Sequence, residues 1–360
     1  MRLGLSLSYW GSGLPVQDLQ LAQEADRLGY DVVWAAEAFG ADAVSMLGWL
    51  AGQTEHVGLG SAVLQVPARS AAMTAMTAAT LDLLSGGRFR LGLGVSGPQV
   101  SEGWHGVRFD APLQRTREYV DVVRLALSRQ TVAYQGRHIR LPLPEGPGKA
   151  IHLTVRRVRP RLPIYLAALG PKNLELAGEI ADGWLGFMVS PEHAGDFTNR
   201  LRAGARRAGR GTDGDPLEGF DVVATVPVSV HADVAGAADR VRSFAALYLG
   251  GMGSREQNFY QQLAGRLGFA GPAARVQELF LAGEVTRAAQ AVPLEFLDHI
   301  ALLGPPGRIA ERMQRYAAAG VSTLTISPYA ETLDGRLDVV RMMAEFTGAA
   351  AAASEHPSRA

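Results

Sequence analysis

Eight short runs of β-forming residues, most of them separated by an amphipathic helical pattern, constrain this chain more than any other feature. They cover residues 2–8 and 32–36, then VGLGSAVL, FRLGLGV, PIYLAAL, GWLGFMV, DVVATVPVSV and STLTISP. Leu19, Ala22, Ala25 and Leu28 share one helical face that Gly29 terminates, and further helices are predicted over 42–54, 70–84, 116–129 and 308–319. Strands and helices in this alternation specify parallel βα units. Eight strands fit a closed (β/α)8 TIM barrel of the α/β class better than an open sheet. Such a barrel occupies about 250 residues before insertions. The 360 residues therefore read as one decorated domain over 1–350, with a frayed, flexible tail at 351–360.

Two stretches exceed the barrel's needs. Residues 130–161 carry turn residues and short β-like pieces, which predicts a hairpin insertion. Residues 248–304 are rich in alanine and leucine and read as a helical insertion over the barrel mouth or at a subunit interface.

Composition narrows the function classes. Thirty-five basic residues balance thirty-five acidic ones, so no global field would gather a polyanion such as nucleic acid, and a small-molecule partner is expected. The absence of cysteine excludes disulfides, thiolate metal sites and cysteine nucleophiles. Eight histidines are scattered without paired ligand spacing, so no metal is expected. The first residues lack the apolar run of a signal peptide, and no stretch reaches the roughly 18 apolar residues of a membrane span. A cytoplasmic protein is the simplest expectation.

Two glycine motifs bear on ligand binding. GLGVSG at 92–97 matches the dinucleotide fingerprint G-x-G-x-x-G and follows a strand. Pro98 comes next and the chain is expected to wander to the helix near Thr116, so no helix is predicted to open at Gly97 and small residues at a closing strand explain the motif equally well. In AALGPKNLELAG a strand should feed directly into a helix, with Gly170 allowing close approach and Pro171 suited to the first turn. Free N–H groups there, the helix dipole and Lys172 suit an anion such as a cofactor phosphate, although a strand, turn and helix joined by Gly-Pro is also ordinary structure. The arginines at 156–161 and 200–210 read mainly as solvated faces.

The runs ATLDLLSGGRFRLGLG and LAALGPKNLELAGEIADGWLG resemble signatures of the luciferase-like superfamily, which includes flavin monooxygenases and F420-dependent oxidoreductases. Together with WAAEAFGADA and GPPGRIAERMQRYAAAGVSTLTIS, they make the chain most similar to an actinobacterial F420-dependent branch. The resemblance implies an oxidoreductase that uses coenzyme F420, with FMN as the alternative, across the carboxyl ends of the strands. It implies cofactor contacts at Glu37, Ser61, Ala62, Val63, Ser96, Gly97, Ala167, Ala168, Leu169, Gly170 and Pro171, and a non-proline cis peptide near Ser61 and Ala62. It also implies a homodimer, because relatives often pair through barrel helices.

Departures from the family pattern are informative. Relatives that oxidise alcohols or sugar phosphates follow the acidic residue after strand 2 with histidine, whereas this chain has Glu37 and Ala38, and an assisting glutamate aligns roughly with Pro98. Removing hydride from an alcohol carbon needs a base for the hydroxyl proton. Reduction of an enone or imine by reduced F420 is therefore the expected reaction. The alternatives are a two-component monooxygenase using reduced FMN and oxygen, and a barrel that binds cofactor without turnover. Candidate proton donors, all near predicted strand ends or the loops above them, are His105 first, then Glu102, Tyr9 and Tyr329. Trp104, Arg255 and Tyr329 are the candidate substrate contacts.

Overall fold

The computed structural model describes residues 1–7, 15–253 and 258–348. Twelve strands occur in chain order: β1 (Arg2–Ser6), β2 (Val32–Ala35), β3 (Gly58–Ser61), β4 (Leu64–Gln65), β5 (Phe89–Gly94), β6 (Tyr134–Gln135), β7 (Arg140–Leu141), β8 (Ile164–Ala167), β9 (Gly183–Phe187), β10 (Asp221–Val230), β11 (Leu302–Gly304) and β12 (Thr323–Pro328). The main sheet runs β12-β1-β2-β3-β5-β8-β9, and β10 pairs with both β9 and β12, so the sheet closes on itself. Every pairing in it is parallel. The protein is an eight-stranded TIM barrel.

Side-chain volume in the bore explains how these sequences close. Trp34 from β2 and Tyr165 from β8 meet edge to face with ring centroids 5.3 Å apart, packed with Val32, Leu185 and Val223. They leave no room opposite. A Cβ at Gly60 would fall within the Trp34 ring, and one at Gly183 within the Tyr165 ring. Glycine weakens a strand in isolation, and here bulky neighbours require it.

The amino-terminal end of the barrel is tied by charge. Asp221, almost fully buried, accepts from the Tyr165 hydroxyl (3.0 Å), Thr323 Oγ1 (2.8 Å) and Ser322 Oγ (2.6 Å), and pairs with Arg2 at 2.7 Å. Arg90 joins Asp31 alongside at 2.7 Å. Four separate barrel strands thus meet one buried carboxylate or its neighbours.

Outside the barrel, capping residues set several helix starts. Asp42 and Ser70 accept from Ser45 N and Met73 N, so the predicted helices begin one residue later, as Ala43–Ala51 and Ala71–Leu84. The first and last helices, Pro15–Arg27 and Leu333–Thr347, pack together beside β1 and share Glu24, which accepts from both Arg27 and Arg341. β6 and β7 form an antiparallel hairpin held down by Glu118, whose carboxylate accepts the backbone N–H groups of Arg137, His138 and Ile139. No helix among the described residues is long and apolar enough to cross a membrane.

Two expectations are corrected. The segment 248–304 is not wholly helical: after helices at Phe259–Arg266, Ala270–Leu281, Val285–Gln290 and Leu294–Ile300, it ends in β11, which pairs with the carboxyl end of β10. LLG is too short to show any period, and tertiary pairing decides its state. The run VGLGSAVL is also not one strand, because a cis peptide at Ala62–Val63 separates β3 from β4. Ser8, Tyr9, Arg255 and the tail lie outside the described residues.

Two measurements check this account. Gly60→Ala should destabilise the fold by about 1–3 kcal/mol through overpacking against Trp34, seen as a lower urea midpoint with unchanged slope. The Glu24 carboxyl is held near about 2, first by the Arg27 hydrogen bond, against burial and with help from Arg341. Its folded value is depressed, so the stability it contributes is present above the ordinary value of 4.5 and is lost as pH falls towards 2. Glu24→Gln should flatten the acid side of the stability profile in that window.

Candidate active site

The carboxyl ends of the barrel strands open into a cavity of about 1090 Å³. Barrel enzymes place their chemistry at this face. One side of the cavity is built almost entirely from backbone and small residues. Ala62 and Val63 lie on either side of the cis peptide, one residue beyond the expected position, and face Gly94, Ser96 and Ala167. Close approach accounts for two of the three glycines of the GLGVSG motif: a Cβ at Gly92 would strike the Ser61 carbonyl, and one at Gly94 would meet the Val63 side chain at 2.5 Å.

The mouth on this side is edged by two helix starts. Gly97 caps the short helix Pro98–Gly103, and Gly170 caps Pro171–Ile180, each with proline in the first turn and no side-chain cap. The expectation that no helix opens at Gly97 is therefore wrong; Pro98, read as a loop residue, instead begins the helix, as its fixed φ favours. Neither glycine is required by its backbone angles, and an added Cβ at either would meet nothing within 4 Å. Both therefore border open space.

A buried amide locks this rim together. Gln65 accepts from Ser96 Oγ at 2.9 Å and donates to the Ala38 carbonyl at 2.7 Å, linking the ends of β4, β5 and β2. Ser96 has φ of 61°, in the left-handed region, and its hydroxyl bond holds it there. Sequence reasoning missed Gln65, whose position in a two-residue strand left no periodic signal.

Glu37 lines the cavity, but its carboxylate is committed elsewhere. Both oxygens accept from Arg69, Oε2 at 2.9 Å, and Ala43 N donates at 3.3 Å. The Glu37 bond raises the Arg69 guanidinium above its ordinary pKa, and Asp42 accepts from the same arginine at 2.9 Å. Glu37 therefore orients the β2 loop and is poorly placed to exchange protons. Ala38 and Phe39 also line the space.

The remaining sequence candidates divide. Ala167, Ala168 and Leu169 line the cavity, as does Trp104, which is 66% exposed at the rim. Ser61 lies beneath the floor, fully buried, with Oγ bonded to Gly92. Pro171 borders a second hollow, and Lys172 is exposed and lines neither. Glu102 accepts from Phe109 N at 2.9 Å, and His105 has a buried Nε2 without a hydrogen-bond partner; neither side chain is among those lining the cavity. Tyr9 and Arg255 lie outside the described residues.

Opposite the small-residue side stands an aromatic wall, of which the sequence revealed only Tyr329. Phe187 packs against Tyr248 at 4.6 Å and Phe244 at 5.6 Å; Tyr260 meets Tyr248 at 4.9 Å, and Phe244 meets Tyr329 at 5.9 Å. These rings come from β9, helix Val234–Ala246, the π turn Leu247–Gly251, helix Phe259–Arg266 and the end of β12. Burial pushes the Tyr260 phenol up to about 12 and raises Tyr329 as well. Among the described residues no group of three or more His, Asp or Glu side chains is placed to hold a metal ion.

The model of a family described as luciferase-like monooxygenase matches residues 15–323. The chain belongs to that family. A relative in Mycobacterium tuberculosis, named as a candidate coenzyme F420-dependent oxidoreductase, is 42% identical over 332 residues, covering 91% of this chain and 95% of that protein. The 5,10-methylenetetrahydromethanopterin reductase of Methanolobus tindarius is 34% identical over 234 residues, 64% of this luciferase-like chain and 66% of the reductase. Among solved structures, the coenzyme F420 dependent tetrahydromethanopterin reductase from Methanopyrus kandleri matches with a TM-score of 0.81 at 22% identity, covering 96% of this chain and 97% of that one. Identity that low speaks to the fold alone.

The Gln65 linkage yields a test. Gln65→Leu leaves the Ser96 hydroxyl and Ala38 carbonyl without partners in a partly buried rim, at a cost of about 1–3 kcal/mol. A thermal midpoint lowered by several degrees would bear this out, and an unchanged midpoint would show that the amide does not organise the rim.

Proposed function

We propose that this protein is an F420-dependent oxidoreductase that works in the reductive direction on a small organic acceptor, an enone or imine. The observation that carries the direction is the charge inventory of the cavity. Among the described lining residues there is no histidine, and both carboxylates are paired, Glu37 with Arg69 and Asp18 with Arg336. Alcohol oxidation needs a free base beside the hydroxyl. Reduction needs only a donor that stays protonated, a role open to the partly buried tyrosines of the wall, Tyr260 and Tyr329.

The residues present fit a deazaflavin. The uncrowded, glycine-bearing side formed by Ala62, Val63, Gly94 and Ala167 suits a flat ring system. The open helix start at Gly170 offers backbone N–H groups and a favourable dipole to an anionic side chain. When bound, reduced F420 supplies a hydride from C5 of its deazaflavin ring. Ser96, fixed by Gln65, positions the rim, Glu37 holds the β2 loop through Arg69, and the aromatic wall excludes water from the acceptor. The 42% identical relative named for F420 favours this cofactor over FMN.

Titrating the purified protein with F420 and with FMN, each followed by fluorescence, tests the reading. Micromolar or tighter F420 binding is expected, and binding of FMN alone would point to a flavin-and-oxygen monooxygenase. Gly170→Phe should fold normally, because its side chain enters open space, yet weaken F420 binding at least tenfold by blocking the mouth.

A further inference from the structure

The aromatic wall carries two phenols whose hydroxyls are unexplained. Tyr260 and Tyr329 both line the cavity, both are partly buried, and neither hydroxyl makes a hydrogen bond to protein among the described residues. A phenol that opens onto a cavity without a protein partner has its hydroxyl available to donate to a bound ligand. Buried tyrosines elsewhere in this chain are satisfied: Tyr30 donates to the Val340 carbonyl at 2.8 Å, Tyr316 to the Val189 carbonyl at 2.8 Å, and Tyr165 to Asp221. The two exceptions face the cavity.

Position separates them. Tyr329 directly follows β12, and its backbone N–H is pinned to the Val228 carbonyl of β10 at 2.8 Å, so a barrel strand end sets where its ring stands. Tyr260 rides on the added helix Phe259–Arg266, and packs into Tyr248 and Phe187. Groups on barrel strand ends hold their geometry better than groups on insertions. Among the described lining residues Arg336 is the one cation, and it donates to Asp18 at 3.4 Å.

We propose that Tyr329 is a catalytic residue, the hydrogen-bond and proton donor to the carbonyl oxygen of an uncharged, planar, conjugated acceptor held against the rings of Phe187, Phe244 and Tyr248. The proposal rests on the reductive reading above and adds the acceptor class and the donor. In the balanced step, the β-carbon of the acceptor would gain a hydride from the C5–H bond of bound reduced F420, which would be oxidised and release its remaining proton to solvent, offsetting the hydroxide left when water reprotonates the tyrosinate. The C=C pair shifts to form a new double bond next to the carbonyl carbon, the C=O pair moves onto oxygen, and that oxygen takes the Tyr329 proton. The enol tautomerises to the saturated ketone and the tyrosinate is reprotonated from water. Burial keeps the phenol protonated through neutral pH, so the donor form is the one present.

The test uses trans-4-(dimethylamino)cinnamaldehyde, whose absorption moves to the red when its carbonyl accepts a hydrogen bond, together with turnover of 2-cyclohexen-1-one by the F420-loaded protein. Wild-type protein should bind the probe with a red shift. Tyr329→Phe should bind it within about tenfold of wild type but without the shift, and should lower kcat for cyclohexenone roughly 10²- to 10⁴-fold with KM and F420 affinity little changed. Tyr260→Phe should keep both shift and turnover. A shift and kcat that survive in Tyr329→Phe, or that vanish in Tyr260→Phe instead, overturn the assignment. Reduction of no neutral enone, or preference for 4-carboxycinnamaldehyde, overturns the acceptor class. A red-shifted probe on a protein that binds no F420 would sink the cofactor reading while leaving the Tyr329 contact standing.

Discussion

The bore of the barrel is narrow, and the way it is filled governs everything above it. Trp34 and Tyr165 occupy the centre, so β3 and β9 must present glycine where they pass those rings. With the centre solid, no ligand can sink into the barrel and any binding space has to lie on top of the plug. The close approach of β3 to β5, where Gly92 accommodates the Ser61 carbonyl, then delivers Ala62 and Val63 as a low floor to that space.

The two ends of the strands are chemically unlike. At the amino-terminal end, Asp221, Arg2, Asp31 and Arg90 compensate one another, and Tyr165 reaches down from the bore to join them. Burial and the Asp221 carboxylate both raise the Tyr165 phenol, which keeps it a donor. At the carboxyl end the ionic pairs withdraw to the edge, and the space between them is apolar, aromatic and backbone-lined. The fold thus concentrates its electrostatic stabilisation away from the cavity, which leaves the chemistry to neutral donors.

Most of the barrel was legible because parallel strands buried on both faces read as continuous β-branched and apolar runs. DVVATVPVSV matches β10 residue for residue, and Asp42 and Ser70 marked helix starts through their capping chemistry. Interactions between distant segments escaped. Gln65 looks like any polar residue until Ser96 and Ala38 are brought to it, and β11 exists only because the end of β10 needs a partner. The helix at Pro98 was missed because six residues are too few for periodicity. Glu37 lines the cavity, while its partner Arg69, thirty-two residues away, had no signal in the local pattern. Of the five wall rings, Phe244 and Tyr248 are one helical turn apart, but Phe187, Tyr260 and Tyr329 come from separate elements, so no single motif could have joined all five.

The cavity's two sides also differ in ancestry within the chain. The ledge is formed by Gly94 of β5, Ala167 of β8 and the Ala62–Val63 link between β3 and β4, all part of the barrel. Much of the opposing aromatic wall hangs from the turn at Leu247–Gly251 and the helix Phe259–Arg266. Substitutions of the rings there can reshape what is recognised without touching the barrel strands. Such a division lets selection explore new acceptors on a nearly constant cofactor platform, and makes the insertion the natural target for laboratory evolution of this scaffold.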